Sequence, residues 1–79
     1  MELTVLGRYG PFPAPGGACS GYLLRAGEAK ILLDLGAGTF TRLFGILPKL
    51  DLNCVVLTHL HSDHMSDMLV FRYALRQLS

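Results

Sequence analysis

The chain has 79 residues, of which 51% are hydrophobic and 16% are charged, and its formal net charge at pH 7 is +1. This length allows one small domain at most, and the lack of any run of like charges excludes an acidic tail or a basic arm. Two cysteines do not make a disulfide framework, and the longest uncharged run, residues 9–24, is too rich in Gly and Pro to span a membrane as a helix. The N-terminus lacks a signal-peptide pattern, so we expect a cytoplasmic protein with no membrane partner.

The hydrophobic fraction is high for so short a chain, because a domain of about 80 residues buries only roughly 60–65% of its surface. Two explanations fit this composition. The chain is either a tightly packed miniature or the opening part of a larger domain, whose remaining elements would cover its apolar faces. We favour the second explanation and expect residues 1–79 to be one domain that lacks its C-terminal portion.

The first half of the chain predicts three strands. In ELTVLG, residues 2–7, apolar and polar side chains alternate, as in a half-buried strand. Residues 8–20 contain three of the four prolines and are predicted to form a loop. GYLLRA and KILLDL follow as a hairpin with a short turn over residues 27–29. KILLDL is apolar on both sides, which is typical of a strand covered on both faces in a layered α/β structure.

The second half predicts a helix, a strand and another helix. The first helix has an apolar stripe at i, i+3, i+4 and i+7, formed by Phe40, Leu43, Phe44 and Leu47. Thr39 is expected to cap this helix and Pro48 to end it. CVVLT, residues 54–58, predicts a second strand that is apolar on both faces, with Cys54 buried. The pattern is helical again from about Met65, with an apolar face formed by Met68, Phe71, Leu75 and Leu78.

All three histidines lie within six consecutive positions, between the predicted strand 54–58 and the last helix. His59 and His61 are two residues apart, a spacing that places both imidazoles on one side of an extended segment. Asp63 and His64 follow where the chain turns into the helix. Imidazole and carboxylate ligands together suit zinc, and also iron or manganese. The alternative is that the histidines are ordinary surface residues and that Asp63 only caps the helix, but their clustering at a strand end favours a metal site.

The string THLHSDH resembles the H-x-H-x-D-H signature of the metallo-β-lactamase fold superfamily. Upstream, LLDLGAG resembles the strand ending in Asp-x-Gly that precedes this signature, with Asp34 and Gly36 at the two fixed positions. The first strand, the Gly-rich loop and the strand SGYLL are similar to the start of the ribonuclease Z-like branch. The resemblance implies an α/β fold, the N-terminal part of an αββα sandwich, and it covers only the N-terminal portion of the family's domain.

The resemblance also implies roles for individual residues. His59 and His61 correspond to ligands of a first metal ion, and Asp63 and His64 to ligands of a second. Asp63 would in addition orient the attacking water. Asp34 resembles the family's buried aspartate, which supports ligand side chains through hydrogen bonds. The implied cofactors are two divalent metal ions, zinc first, with manganese and iron as alternatives.

Three residues outside the signature have open interpretations. Thr58, directly before the signature, is expected to be structural. Asp67 is interpreted as an N-cap or first-turn acid of the last helix, with a reach toward the metal site as the alternative. The loop of residues 8–20 either borders the active-site groove, where Arg8, Tyr9 and Phe12 would pair with or stack on a nucleotide, or is a plain connection.

The implied activity is hydrolysis of a phosphodiester, either RNA or a cyclic nucleotide, by a metal-bound hydroxide. A thioester or lactone hydrolase is the alternative within the same fold, and a non-catalytic fragment is the alternative outside catalysis. The family completes its site with later His and Asp ligands, yet no His follows His64 and Asp67 is the only later acid. We therefore expect the 79-residue chain alone to bind metal weakly, to lack appreciable activity and to self-associate, for example as a homodimer.

Overall fold

The computed structural model describes residues 1–8, 15–58 and 62–78, with the backbone alone at Ser62, Asp63 and Leu78. The elements in chain order are β1 (Glu2–Gly7), β2 (Gly21–Ala26), β3 (Ala29–Leu35), α1 (Thr39–Ile46), β4 (Cys54–Val56), α2 (Ser62–Met65) and α3 (Met68–Leu78). The predicted α/β order is confirmed, with the last helix divided into α2 and α3. Within the described ranges, no helix is long and apolar enough to cross a membrane.

The four strands form one mixed sheet in the order β1-β2-β3-β4. β1 and β3 both pair antiparallel with β2, and β4 pairs parallel with β3. Gly7 pairs with Gly21, which in turn pairs with Leu35, so the last residues of β1 and β3 lie at the same end of the sheet. We call this end, where β4 also finishes, the carboxyl end of the sheet.

One face of the sheet packs against α1 and α3. The buried core consists of Leu6, Leu23, Leu32, Leu35, Leu43, Leu47, Leu50 and Phe71. Register explains the strand contributions, because Leu23 pairs directly with Leu32 and both therefore point to the same face. The first helix thus packs on this face through Leu43, which belongs to the apolar stripe that the sequence predicts.

The opposite face, which we call the open sheet face, is more exposed than the apolar sequence predicts. Leu3 is 58%, Val5 55% and Val56 41% exposed, and Leu33 is half-buried. The expectation that Cys54 is buried is wrong, since this residue is exposed on the same face as Val56. The physical reason is that the core of the described residues forms entirely on the other face, through α1 and α3.

Two details of the helices differ from the prediction. Thr39 is the first residue of α1 rather than its cap, because the cap position falls on Gly38, whose φ of 88° lies in the left-handed region that favours glycine. The Thr39 hydroxyl instead donates to the Gly36 carbonyl at 2.7 Å. α1 ends at Ile46, just before Pro48, as predicted. In α3, Phe71 is buried but Leu75, expected on the same packed face, is 37% exposed.

Candidate metal centre

Asp34 lies at the carboxyl end of the sheet, near the end of β3, and is only 3% exposed. Its φ of 62° is in the left-handed region, which Asp and Asn adopt more readily than other residues that carry a Cβ. A backbone conformation of this kind is kept only where surrounding contacts favour it. The contacts of the Asp34 carboxylate supply that support.

The Asp34 carboxylate accepts three hydrogen bonds from the two ends of the histidine segment. The backbone N–H of Thr58 donates to Oδ1 at 2.7 Å, and the Thr58 hydroxyl donates to Oδ2 at 2.8 Å. The Nδ1 atom of His64 lies 2.9 Å from the same Oδ2. One buried carboxylate therefore holds the residue directly before His59 and the last residue of the signature.

Burial opposes ionisation of Asp34, but the hydrogen bonds from His64 and Thr58 outweigh it and lower the pKa of the carboxyl below its usual value. Asp34 is thus ionised at neutral pH and acts as a hydrogen-bond acceptor only. An acceptor of this kind selects the imidazole form that has its proton on Nδ1. Nε2 is then the nitrogen through which His64 would ligate a metal.

The donor set fits a divalent metal. A carboxylate that orients a ligating imidazole through its second nitrogen is the usual outer partner of metal-bound histidine, and the Asp34–His64 contact has this form. His64 also sits at the end of the short helix α2, which packs against β3 and so keeps the ring close to the sheet. His64, the one predicted ligand whose side chain is described, therefore has the outer contact that a metal-bound histidine usually makes.

The structure describes only some of the predicted metal ligands. His59 and His61 lie outside the described residues, and of Asp63 only the backbone is described, in α2. Among the side chains that are described, no group of three or more His, Cys, Asp or Glu could hold a metal ion. Convergence of the four ligands on one point stays a prediction, as does the role of Asp34 as their support.

Asp67 makes a contact that the sequence did not indicate. Its carbonyl accepts from Phe71 N at 2.9 Å, so it occupies the predicted N-cap position of α3. Its carboxylate, however, accepts from Phe40 N of α1 at 2.9 Å, and its own N–H donates to the Leu35 carbonyl at 3.0 Å. Asp67 therefore joins the starts of α1 and α3 to the end of β3, directly after the helix that contains His64.

Thr58 is the second residue whose hydrogen-bond partner the sequence did not predict. The sequence placed it next to the signature and indicated a structural role, but not that both its N–H and its hydroxyl bind Asp34. The available signal was a hydroxyl residue at the end of an apolar strand that pairs in parallel with the strand holding Asp34. Parallel strands finish at the same end of a sheet, which brings these two residues together.

Comparison with known proteins bears directly on this arrangement. The family model for the Metallo-beta-lactamase superfamily matches residues 14–76. The "Probable metallo-hydrolase YhfI" of Bacillus subtilis is 43% identical over 74 residues, which cover 94% of this chain and 30% of that protein. The ribonuclease Z of Mycobacterium bovis is 39% identical over 69 residues, covering 86% of this chain and 25% of that protein.

Solved structures agree with the sequence comparison. The crystal structure of YhfI from Bacillus subtilis superposes with a TM-score of 0.86 at 42% identity, over 91% of this chain and 30% of that one. Human tRNase Z, short form, superposes with a TM-score of 0.78 at 30% identity, over the whole of this chain and 31% of the human chain. The chain thus spans about a third or less of the length of these relatives.

Proposed function

The chain belongs to the metallo-beta-lactamase superfamily, and from this premise we propose that it provides one part of the metal centre of an RNA phosphodiesterase. The observation that supports the proposal most strongly is the buried Asp34 carboxylate, which holds Thr58 and His64 at the two ends of the histidine segment. This carboxylate fixes the residue before the first predicted ligand and the last predicted ligand, which is the kind of support that a metal site needs. The family implies divalent metal cofactors, and the hydrolase activity of the relatives agrees with that chemistry.

The proposed roles follow the ligand chemistry. His59 and His61 would hold one divalent ion, and Asp63 and His64 a second, with zinc as the first choice for imidazole and carboxylate ligands. Bound in this way, such ions lower the pKa of water and stabilise negative charge on phosphate oxygens. Asp34 keeps the His64 proton on Nδ1, and the Asp63 carboxylate orients the attacking water.

RNA is the proposed substrate because two of the similar proteins are a ribonuclease Z and a tRNase Z. Both are much longer than this chain, so their substrate applies here only as a proposal. The cytoplasmic location also stays a prediction. We also propose that residues 1–79 alone ligate the metal ions incompletely, because no histidine follows His64. The strength of zinc binding tests this point.

Titration of the 79-residue chain with zinc, monitored by calorimetry, tests the metal centre. The visible spectrum of the cobalt-substituted chain gives a second readout. We expect the wild type to bind zinc weakly and His64→Ala to lose binding at one of the two sites. The cobalt spectrum reports imidazole ligation independently of activity. Asp51→Asn is the control, because the Asp51 carboxylate pairs with Lys30 in an exposed hydrogen bond of 2.5 Å, whereas the Asp34 carboxylate binds Thr58 and His64. Equal zinc binding by the wild type and His64→Ala would contradict the proposed centre.

The reaction class needs a separate measurement. The natural polypeptide that contains residues 1–79 would be loaded with zinc and offered an RNA oligonucleotide, bis-p-nitrophenyl phosphate and a thioester. We expect cleavage of the two phosphodiesters and its loss in His64→Ala. Turnover of the thioester alone would show that the carbonyl alternative is correct and that the phosphodiester proposal is wrong.

A further inference from the structure

A polar pocket lies at the carboxyl end of the sheet, two strands away from Asp34. It has a volume of about 340 Å³ and is lined by Val5, Gly7, Arg8, Pro15, Gly16, Gly17 and Arg42. Gly7 pairs with Gly21, and Gly21 pairs with Leu35, so the pocket and the candidate metal centre both lie at the carboxyl end of the sheet. Two strand spacings amount to roughly 10 Å, so the pocket is close to the centre but separate from it.

Arg42 of α1 reaches into this region with a fixed orientation. Its Nη1 donates to the Leu6 carbonyl at 2.7 Å and its Nη2 donates to the Gly16 carbonyl at 2.6 Å. Both acceptors are uncharged, and within residues 1–8, 15–58 and 62–78 no carboxylate forms an ion pair with Arg42. The guanidinium has five N–H donors, so these two bonds orient its plane and leave it with further donors and its full charge.

Arg8 adds a second positive charge to the same pocket, and the described lining residues include no acid. Gly16 has a φ of 76°, and a Cβ placed there would meet nothing within 4 Å, so the turn beside Arg42 is open to solvent. A polar pocket that has two arginines in its lining, one with its guanidinium oriented by backbone carbonyls, and an exposed glycine turn is the type of site that binds phosphate oxygens.

The start of α1 does not account for this site. The N–H of Phe40 is already bound by the Asp67 carboxylate, which also places a negative charge at that helix end. An anion would therefore be repelled from the helix start and attracted to the two arginines. The positive charge, the remaining N–H donors of Arg42 and the exposed turn at Gly16 all favour anion binding in the pocket instead.

We propose that the pocket between the end of β1, the turn at Gly16 and Arg42 binds a backbone phosphate of a single-stranded polynucleotide, one other than the phosphate being hydrolysed. The proposal rests on the proposed function, because it assigns an RNA strand to the same end of the sheet. A polynucleotide has a phosphate at every nucleotide, so a strand with one phosphate at the metal centre presents others to nearby positive groups. A small phosphodiester cannot occupy both places.

Fluorescence anisotropy of a labelled single-stranded RNA 12-mer tests the pocket, with the 79-residue chain in EDTA and salt varied from 50 to 200 mM. We expect Arg42→Gln and Arg8→Gln each to weaken binding by roughly fivefold to tenfold at 50 mM salt, and each to reduce the slope of log affinity against log salt by about 0.7. Lys49→Gln is the matched control, because it removes the same charge from an exposed residue after the other end of α1. This control should change affinity less than twofold and leave the slope unaltered.

Each other outcome overturns the proposal. Wild-type affinity in both arginine variants would show that the pocket does not contact RNA, and an equal loss in Lys49→Gln would show that only net charge matters. Competition by a mononucleotide at the same concentration as the RNA would exclude a polymer site. Circular dichroism checks folding, and if Arg42→Gln unfolds, Arg8→Gln decides the result. Because EDTA removes metal from the assay, arginine-dependent RNA binding without later hydrolysis would contradict the proposed function and leave the pocket intact.

Discussion

The carboxylate of Asp67 accepts a hydrogen bond from the backbone N–H of Phe40 at 2.9 Å, although 27 residues separate the two in sequence. Asp67 is the N-cap of α3, yet its side chain binds the start of α1. Since α1 has Gly38 at its cap and no side-chain cap of its own, Asp67 satisfies an N–H that would otherwise lack an acceptor. Its negative charge also interacts favourably with the positive end of the α1 dipole.

Replacing Asp67 should therefore destabilise the fold. We expect Asp67→Ala to lower the free energy of unfolding by about 1–2 kcal/mol, the range measured for loss of a helix cap. Asp67→Asn retains an acceptor oxygen and should lose only the charge–dipole part, about 0.3–1 kcal/mol. Urea unfolding monitored by circular dichroism measures both, with Glu28→Ala in the exposed β2–β3 turn as a control that should not change stability. Equal stability of Asp67→Ala and wild type would show that the cap contact contributes nothing.

Asp34 offers a test of support for a metal ligand. Asp34→Asn keeps a residue that tolerates the left-handed backbone, but it replaces the ionised acceptor for His64 Nδ1. We expect zinc affinity to fall by about 10–100-fold, the usual effect of removing such a partner. Asp34→Ala should in addition lower stability by about 1–3 kcal/mol, because the part-buried hydrogen bonds that the ionised carboxylate accepts from Thr58 are lost. Unchanged zinc affinity in both variants would contradict the assigned support.

Acid should remove part of the stability that Asp34 provides. The pKa of Asp34 is lowered in the folded chain from its ordinary value of 3.8, since the hydrogen bonds from His64 and Thr58 outweigh the opposing effect of burial. The contribution is thus complete above the unfolded value and is lost as pH falls from near 3.8 through the lower folded pKa. In metal-free chain, the stability advantage of wild type over Asp34→Asn should shrink over this range.

Unfolding by urea at pH 7, 5, 4 and 3 would follow that difference. Asp51 serves as a comparison, because a hydrogen bond from Lys30 also lowers its pKa but the carboxylate is exposed. Asp51→Asn should show a weaker dependence on pH, since solvent screens exposed pairs. A constant gap between wild type and Asp34→Asn from pH 5 to 3 would be incompatible with a lowered pKa at Asp34.

Two glycines should respond to alanine in opposite directions. Gly45 lies inside α1 with nothing within 4 Å of an added Cβ, so Gly45→Ala should raise stability by about 0.5–1 kcal/mol. A Cβ on Gly7 would meet the Cys19 carbonyl oxygen at 2.1 Å. Because this neighbour is backbone, Gly7→Ala should lower stability by about 3 kcal/mol. Thermal melts of both variants, compared with wild type, would measure the difference, and a stabilised Gly7→Ala would contradict the close packing of Gly7 against the Cys19 carbonyl.

The open sheet face predicts self-association. Leu3 and Val5 are more than half exposed on this face, and apolar patches of this kind promote association. We expect sedimentation velocity of the 79-residue chain to show dimers or larger species, and the double variant Leu3→Thr, Val5→Thr to shift the population toward monomer while retaining β propensity. Leu69→Thr, at the 76% exposed Leu69 of α3, is the control. A monomeric wild type would contradict the prediction.

Local periodicity predicted most elements of this fold, although it did not predict the division of the last helix into α2 and α3. Alternation in ELTVLG, two runs apolar on both faces and the stripe through Phe40 and Leu43 predicted β1, β3, β4 and α1, because the periods of strands and helices differ. The clustering of every histidine in six positions predicted the kind of chemistry, since ligand type depends on composition and spacing. Both inferences use only neighbours in sequence, which is why the chain alone supports them.

Tertiary structure decided which distant groups meet. Asp34 binds Thr58 and His64 across 24 and 30 residues, and these pairs depend on the parallel pairing of β3 with β4 rather than on any local pattern. Asp67 has a sequence typical of a cap for α3, but the packing of α1 beside it directs the carboxylate to Phe40. Cys54 belongs to an apolar strand and is still exposed, because only the placement of α1 and α3 determines which face of the sheet is covered.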